Sequence, residues 1–173
     1  MKKSLLFMGT LLFLIAGCNA EKPTVKDMMS DISKKMPTRF QSVDVSKAQI
    51  VQEGTAKMSC TVCGMNLPKF YKTNHASDVD GKKHQFCSIH CLAKTINEGK
   101  KVENIQVVNN EDLKFIDAKK AWYVVGSSKA GTMSKVSKYA FAHVIKAKAF
   151  AKEFGGKVMN FNATLALAKE ESK

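Results

Sequence analysis

The chain has 173 residues, with 28 basic against 15 acidic side chains for a formal net charge of +13, and 45% of its residues are apolar. That length holds one ordinary core or two small ones. The lysines are scattered, with local pairs at Lys34-Lys35, Lys82-Lys83, Lys100-Lys101 and Lys119-Lys120. Such scatter is the pattern of a solvated surface rather than a nucleic-acid stripe, which leaves anionic headgroups or an acidic protein as the partners of this charge.

Met1-Lys2-Lys3 is followed by an apolar run from Leu5 to Ile15 and then by Ala16-Gly17-Cys18. This is the charged start, short apolar stretch and small-residue site of a secretory signal, too short for a transmembrane span. Ile15-Ala16-Gly17-Cys18 resembles a bacterial lipobox, which implies cleavage before Cys18 and lipid on its sulfur. Asn19 after the cysteine favours the outer membrane, with the body in the periplasm; in a single-membraned cell it would face the exterior. Residues 1–17 carry two lysines and no acid, so their removal leaves a formal charge of +11. Residues 18–56 are expected as a lipid-anchored tether, with a weak helical stripe of Val25, Met28, Met29, Ile32 and Met36 that ends before Pro37.

From Phe70 the pattern becomes compact. Strands are expected over 71–79 and 82–87, flanking Asp80-Gly81, because a two-residue hairpin turn wants glycine at positive φ. Ser88 is placed as the cap of a helix through Glu98, with Gly99 as its stop. Short strands follow at 103–108, 113–117 and 121–126, then a flexible loop between Val125 and Lys135 that carries Met133. A helix over 140–154 is halted by Gly155-Gly156, and a strand at 157–161 leads to a terminal helix capped by Asn162. The expected fold is α+β, built from small β-β-α units, two of them, after the tether. Similarity between the units is too degenerate to read as a repeat.

The chemistry-bearing residues are concentrated. Cys60-Thr61-Val62-Cys63-Gly64-Met65 and Cys87-Ser88-Ile89-His90-Cys91 hold every cysteine except Cys18. Thiolate and thioether sulfur suit Cu(I), whereas zinc prefers thiolate and imidazole, so Met65 tilts the reading toward copper. If the backbone is extended there, Cys63 and Met65 point to the same side, and Met133 is the natural remote third sulfur, with packing in a core as its competing role. No catalytic triad, phosphate loop or paired-carboxylate site is present, so an enzyme is not expected. His75 and His84 read as surface residues, and His143 as a cap or an exposed residue of the late helix. Trp122 and Tyr123 read as core and interface aromatics.

Cys60-Thr61-Val62-Cys63-Gly64-Met65, the Asp80-Gly81 hairpin closing on Phe86-Cys87-Ser88, Trp122-Tyr123-Val124 before Gly131-Thr132-Met133, and Ala149-Phe150 before Gly155-Gly156 together resemble the NosL family. The likeness runs from about Lys57 to the C-terminus, so 57–173 is expected as the metal-binding domain. It implies a lipoprotein copper chaperone accessory to nitrous-oxide reductase, with Cu(I) held by Cys63, Met65 and Met133. Cys63, Cys87 and Cys91 also resemble a TRASH-type pattern, which belongs to metallochaperones and heavy-metal sensors. Three alternatives stay open. Cys60, Cys63, Cys87 and Cys91 have workable spacing for a closed structural zinc site. Exported thiols can form two disulfides. A Cys60-X-X-Cys63 oxidoreductase would need its first thiolate at a helix start, which Gly64-Met65-Asn66-Leu67-Pro68 is poorly suited to provide.

Overall fold

The computed structural model describes residues 39–173. The signal, Cys18 and the methionine-bearing helix expected before Pro37 lie outside the described residues. Residues 39–173 lie in one compact unit. Residues 39–56, expected within the tether, are packed into that unit. The Phe40 ring meets Tyr139 edge-on at 5.2 Å, and the Gln52 side chain accepts from the main-chain N–H of Gln85 at 2.7 Å. Among the described residues no helix is long and apolar enough to cross a membrane.

The unit contains two antiparallel sheets and three α-helices. In the first half, β1 (His75–Val79) and β2 (Lys82–Phe86) form a hairpin, α1 (Ile89–Asn97) follows, and β3 (Val102–Val108) returns beside β1. β4 (Phe115–Asp117) completes a sheet of order β2-β1-β3-β4. In the second half, β5 (Trp122–Val125), β6 (Lys138–Phe141), α2 (Val144–Phe154) and β7 (Lys157–Asn160) repeat the plan in a sheet of order β6-β5-β7, and α3 (Phe161–Glu171) closes the chain. Two β-β-α units followed by a returning strand are therefore present, a repeat visible in topology and not in residue identity.

The turns explain the contrast between the hairpins. Asp80 at φ 49 and Gly81 at φ 83 make the two-residue turn whose twist matches its strands. The expected strand start at Tyr71 is instead a 3₁₀ stretch, Pro68–Thr73, so β1 begins at His75. β6 was not expected, because Lys138 to Phe141 is buried at every position. The buried Lys138 hides the strand in the sequence, and Tyr139-Ala140-Phe141 without alternation reads as the start of the following helix. The N-terminus of α3 is capped by Asn160, whose side chain accepts from the Ala163 N–H at 2.9 Å, not by Asn162. Ser88 occupies the cap position of α1 but its hydroxyl makes no capping bond.

A shared core lies between the halves. Phe86, Leu92 and Val107 of the first meet Tyr123, Val125, Phe161 and Ala168 of the second. A smaller cluster of Val124, Tyr139, Phe141 and Ala147 lies under α2 with Phe40 and Phe150. Buried side chains of this size each contribute roughly 1.5–3 kcal/mol relative to exposure. Polar links cross the same boundary. His75, fully buried, places Nδ1 3.1 Å from the Thr73 carbonyl and Nε2 3.1 Å from the Tyr123 hydroxyl. A carbonyl only accepts, so Nδ1 carries the proton and Nε2 accepts from Tyr123. The surface role expected for His75 is thus replaced by a buried one. Burial pushes its pKa down to about 4, opposed by the Thr73 bond.

Candidate metal centre

The Cys60 segment is a tight turn, not the extended stretch expected for it. Ser59 pairs with Asn66 across its base, the Cys60 N–H donates to the Met65 carbonyl at 2.8 Å, and the Gly64 N–H donates to the Cys60 carbonyl at 2.9 Å. Gly64 sits at φ 72, a conformation that favours glycine. The Thr61 N–H reaches the Gln85 carbonyl at 3.3 Å, which clamps the turn to the outer edge of β2. Cys87 lies immediately beyond β2, and Cys91 is the third residue of α1. The turn, the end of a strand and the first turn of a helix therefore converge.

The sulfurs of Cys60, Cys63, Cys87 and Cys91 all lie within 4.8 Å of one another. Cys63 and Cys87 are 3.5 Å apart, Cys87 and Cys91 3.7 Å, and all four are free thiols. Metal–sulfur bonds of about 2.3 Å place the sulfurs of a common ion roughly 3.8 Å apart, so the constellation fits one thiophilic ion. Cys60, Cys87 and Cys91 are buried, while Cys63 is half-buried at the rim.

The thiols divide in acidity. Cys60 is pushed far down by the neighbouring Cys87 and Cys91 thiols. Cys87 and Cys91 are pushed up, chiefly by the Cys60 sulfur beside them, and by burial. One thiolate forms readily and the next is opposed by it. A soft cation replaces those protons and relieves the repulsion, so binding releases protons.

The remaining expected donors are placed differently. Met65 is half-buried and packs with Cys63 against the shared core. Met133 is 39% exposed at φ 62 in the loop between β5 and β6. Its neighbour Thr132 is hydrogen-bonded to Thr73, whose hydroxyl also meets the Cys87 carbonyl. His90 is not among the converging ligand atoms, and its Nδ1 is buried without a hydrogen-bond partner. His84 is half-buried and stacks on Phe86, and His143 is exposed against Glu111. Tyr123 is buried as expected, whereas Trp122 is 39% exposed. No pattern along the chain marks Thr73, Gln52 or Gln85, which act only through tertiary contacts.

With the four-thiol corner in place, similarity to known proteins decides the family. The NosL family model matches residues 51–165. The chain belongs to the NosL family. The crystal structure of the copper chaperone NosL from Shewanella denitrificans is similar with a TM-score of 0.52 and 24% identity, over 73% of this chain and 96% of that chain, which supports the shared α+β fold. No curated protein matches the chain. Within the family fold, the four cysteines of this member form a cluster able to hold a metal ion.

Proposed function

We propose that this chain is a Cu(I)-binding metallochaperone that receives one ion at the cysteine corner and passes it to an exported cuproenzyme. The observation that carries the reading is the open edge of the thiol cluster. Three sulfurs are buried while Cys63 remains half-buried at the rim with Met65 beside it. A closed structural zinc site has no need of an accessible ligand, whereas cargo must be reached by an incoming donor. The similar NosL protein from Shewanella denitrificans is a copper chaperone, which points the same way.

In this reading the ion takes about three or four donors at a time, drawn from the thiolates of Cys60, Cys63, Cys87 and Cys91 and from the neutral thioethers of Met65 and Met133 at the exposed side. Soft sulfur donors select Cu(I), and a neutral thioether leaves more easily than a thiolate. Transfer then proceeds through an intermediate in which the acceptor's sulfur or imidazole replaces the rim donors first. The family resemblance nominates nitrous-oxide reductase as acceptor. Cys18 of the lipobox provides the membrane anchor, with the domain facing the periplasm or, in a single-membraned cell, the exterior.

The test is a titration of the whole chain under reducing conditions against a Cu(I) competitor probe. One ion per chain is expected, and Cys63→Ser should abolish high-affinity uptake because it removes the accessible anionic donor. Zinc that survives chelation, with no competitive copper uptake, would replace this reading with a zinc-stapled interaction module.

A further inference from the structure

The loop that carries Met133 is a built structure rather than a slack connection. The Gln41 side-chain amide donates to the carbonyls of Ala130 at 2.7 Å and Gly131 at 3.1 Å, and the Tyr139 hydroxyl donates to Ala130 at 2.7 Å. A Cβ at position 131 would lie 2.5 Å from the Ser134 carbonyl oxygen, so the loop closes tightly on its glycine. Thr132, 5% exposed, and Ser134 line a small cavity with Ser88 and Ile89, at the start of the helix that bears Cys91. The residues on either side of Met133 are therefore seated against the cysteine corner, while Met133 itself is held in the left-handed region.

One link spans the gap. Thr73 Oγ1 lies 2.9 Å from Thr132 Oγ1, 2.8 Å from the Cys87 carbonyl and 2.9 Å from the Phe70 carbonyl. Both carbonyls only accept, so the single Thr73 proton is shared between them in a three-centre bond, and the Thr132 hydroxyl donates to Thr73. Both threonines are buried, where an unmade bond costs the desolvation of the group.

We infer that Thr132, acting through Thr73, is the positioning residue that fixes Met133 relative to Cys87 and so couples the loop of the second half to the metal corner of the first. The inference rests on the reading that Met133 is a copper donor. The link touches main chain at Cys87 and not its sulfur, so its effect is on where the thioether stands and not on the thiols themselves. Partners of this kind hold ligands in place, and their loss typically weakens metal affinity about 10–100-fold.

The experiment is a double-mutant cycle on the whole chain, read as Cu(I) affinity by competition and as apo melting temperature. Thr132→Val should weaken Cu(I) binding about tenfold, and Thr132→Ser should restore it. In a Met133→Ala background, Thr132→Val should change affinity by less than about twofold, because no donor is left to misplace. Thr73→Val breaks the same link from the other side and replaces Thr132→Val if that variant fails to fold. Wild-type affinity in Thr132→Val, while Met133→Ala is weakened, would overturn the positioning role alone. Equal losses with and without Met133 would show that the threonine serves stability only. Unchanged affinity in Met133→Ala would overturn the donor reading, and the positioning role with it.

Discussion

The two halves of the domain share one β-β-α-β plan, and two of the places where they differ hold the candidate chemistry. At the corner between second strand and helix, the first half has Phe86-Cys87-Ser88 before α1, and the second has Phe141-Ala142-His143 before α2. The third helical residue is Cys91 in one and Lys146 in the other. At the hairpin, the first half turns on Asp80-Gly81, whereas the second opens into residues 126–137 with Met133 near the tip. The scaffold is common; the thiols belong to one copy and the exposed thioether to the other. On the proposed reading, the repeated fold supplies a two-sided site without needing symmetry in the donors.

The comparison is broken most severely by converting one corner into the other. Cys87→Ala gives the first half the residue that stands at the second half's corner, removing a central sulfur that lies 3.5 Å from Cys63 and 3.7 Å from Cys91. Cu(I) affinity should fall by more than about a thousandfold, beyond the roughly 10–100-fold effect of a supporting residue. Apo folding measured by circular dichroism should survive, since the second half maintains the same corner with alanine.

The boundary between the halves gives the next effect. His75 titrates below its ordinary 6.5, at about 4, because it is buried. Between these values the unfolded chain binds the extra proton, so stability falls as pH falls from 6.5 toward 4 and levels off below about 4. The window is worth about 3 kcal/mol. Urea unfolding across that range should show the decline, and His75→Gln should flatten this component of it.

Much of the fold was legible because its signals are local. Asp80-Gly81 fixed the first hairpin, Gly99 and Gly155-Gly156 marked helix ends, and the donor-rich segments announced the metal corner. β6 was hidden because burial on both faces erases alternation, and Asn160 was missed as a cap because two asparagines stand two residues apart. His75 was misplaced because its partners, Thr73 and Tyr123, come from a neighbouring turn and from the other half. The four cysteines were readable as a candidate set, but their mutual proximity depends on the clamp of Thr61 and Gln52 to Gln85, which no spacing encodes.

The smallest effect sharpens the role of the open hairpin. Met133 at φ 62 carries a strain that glycine lacks, offset in part by glycine's greater freedom in the unfolded chain. Met133→Gly should therefore stabilise the apo-protein by about 0.5 kcal/mol, whereas Met133→Ala keeps the strain and leaves the melting temperature near wild type. Both should weaken Cu(I) binding to a similar extent, which calorimetry and probe competition on the same samples can separate.

The central claim is that one Cu(I) ion engages the whole thiol corner. It is tested most directly by alkylating the reduced protein before and after one equivalent of Cu(I), and mapping the modified residues by mass spectrometry. The expected result without metal is fast alkylation at half-buried Cys63 and slow alkylation at buried Cys60, Cys87 and Cys91, with all four rates lowered together once the single equivalent is added. Four thiols that alkylate as freely with copper as without it would contradict the claim.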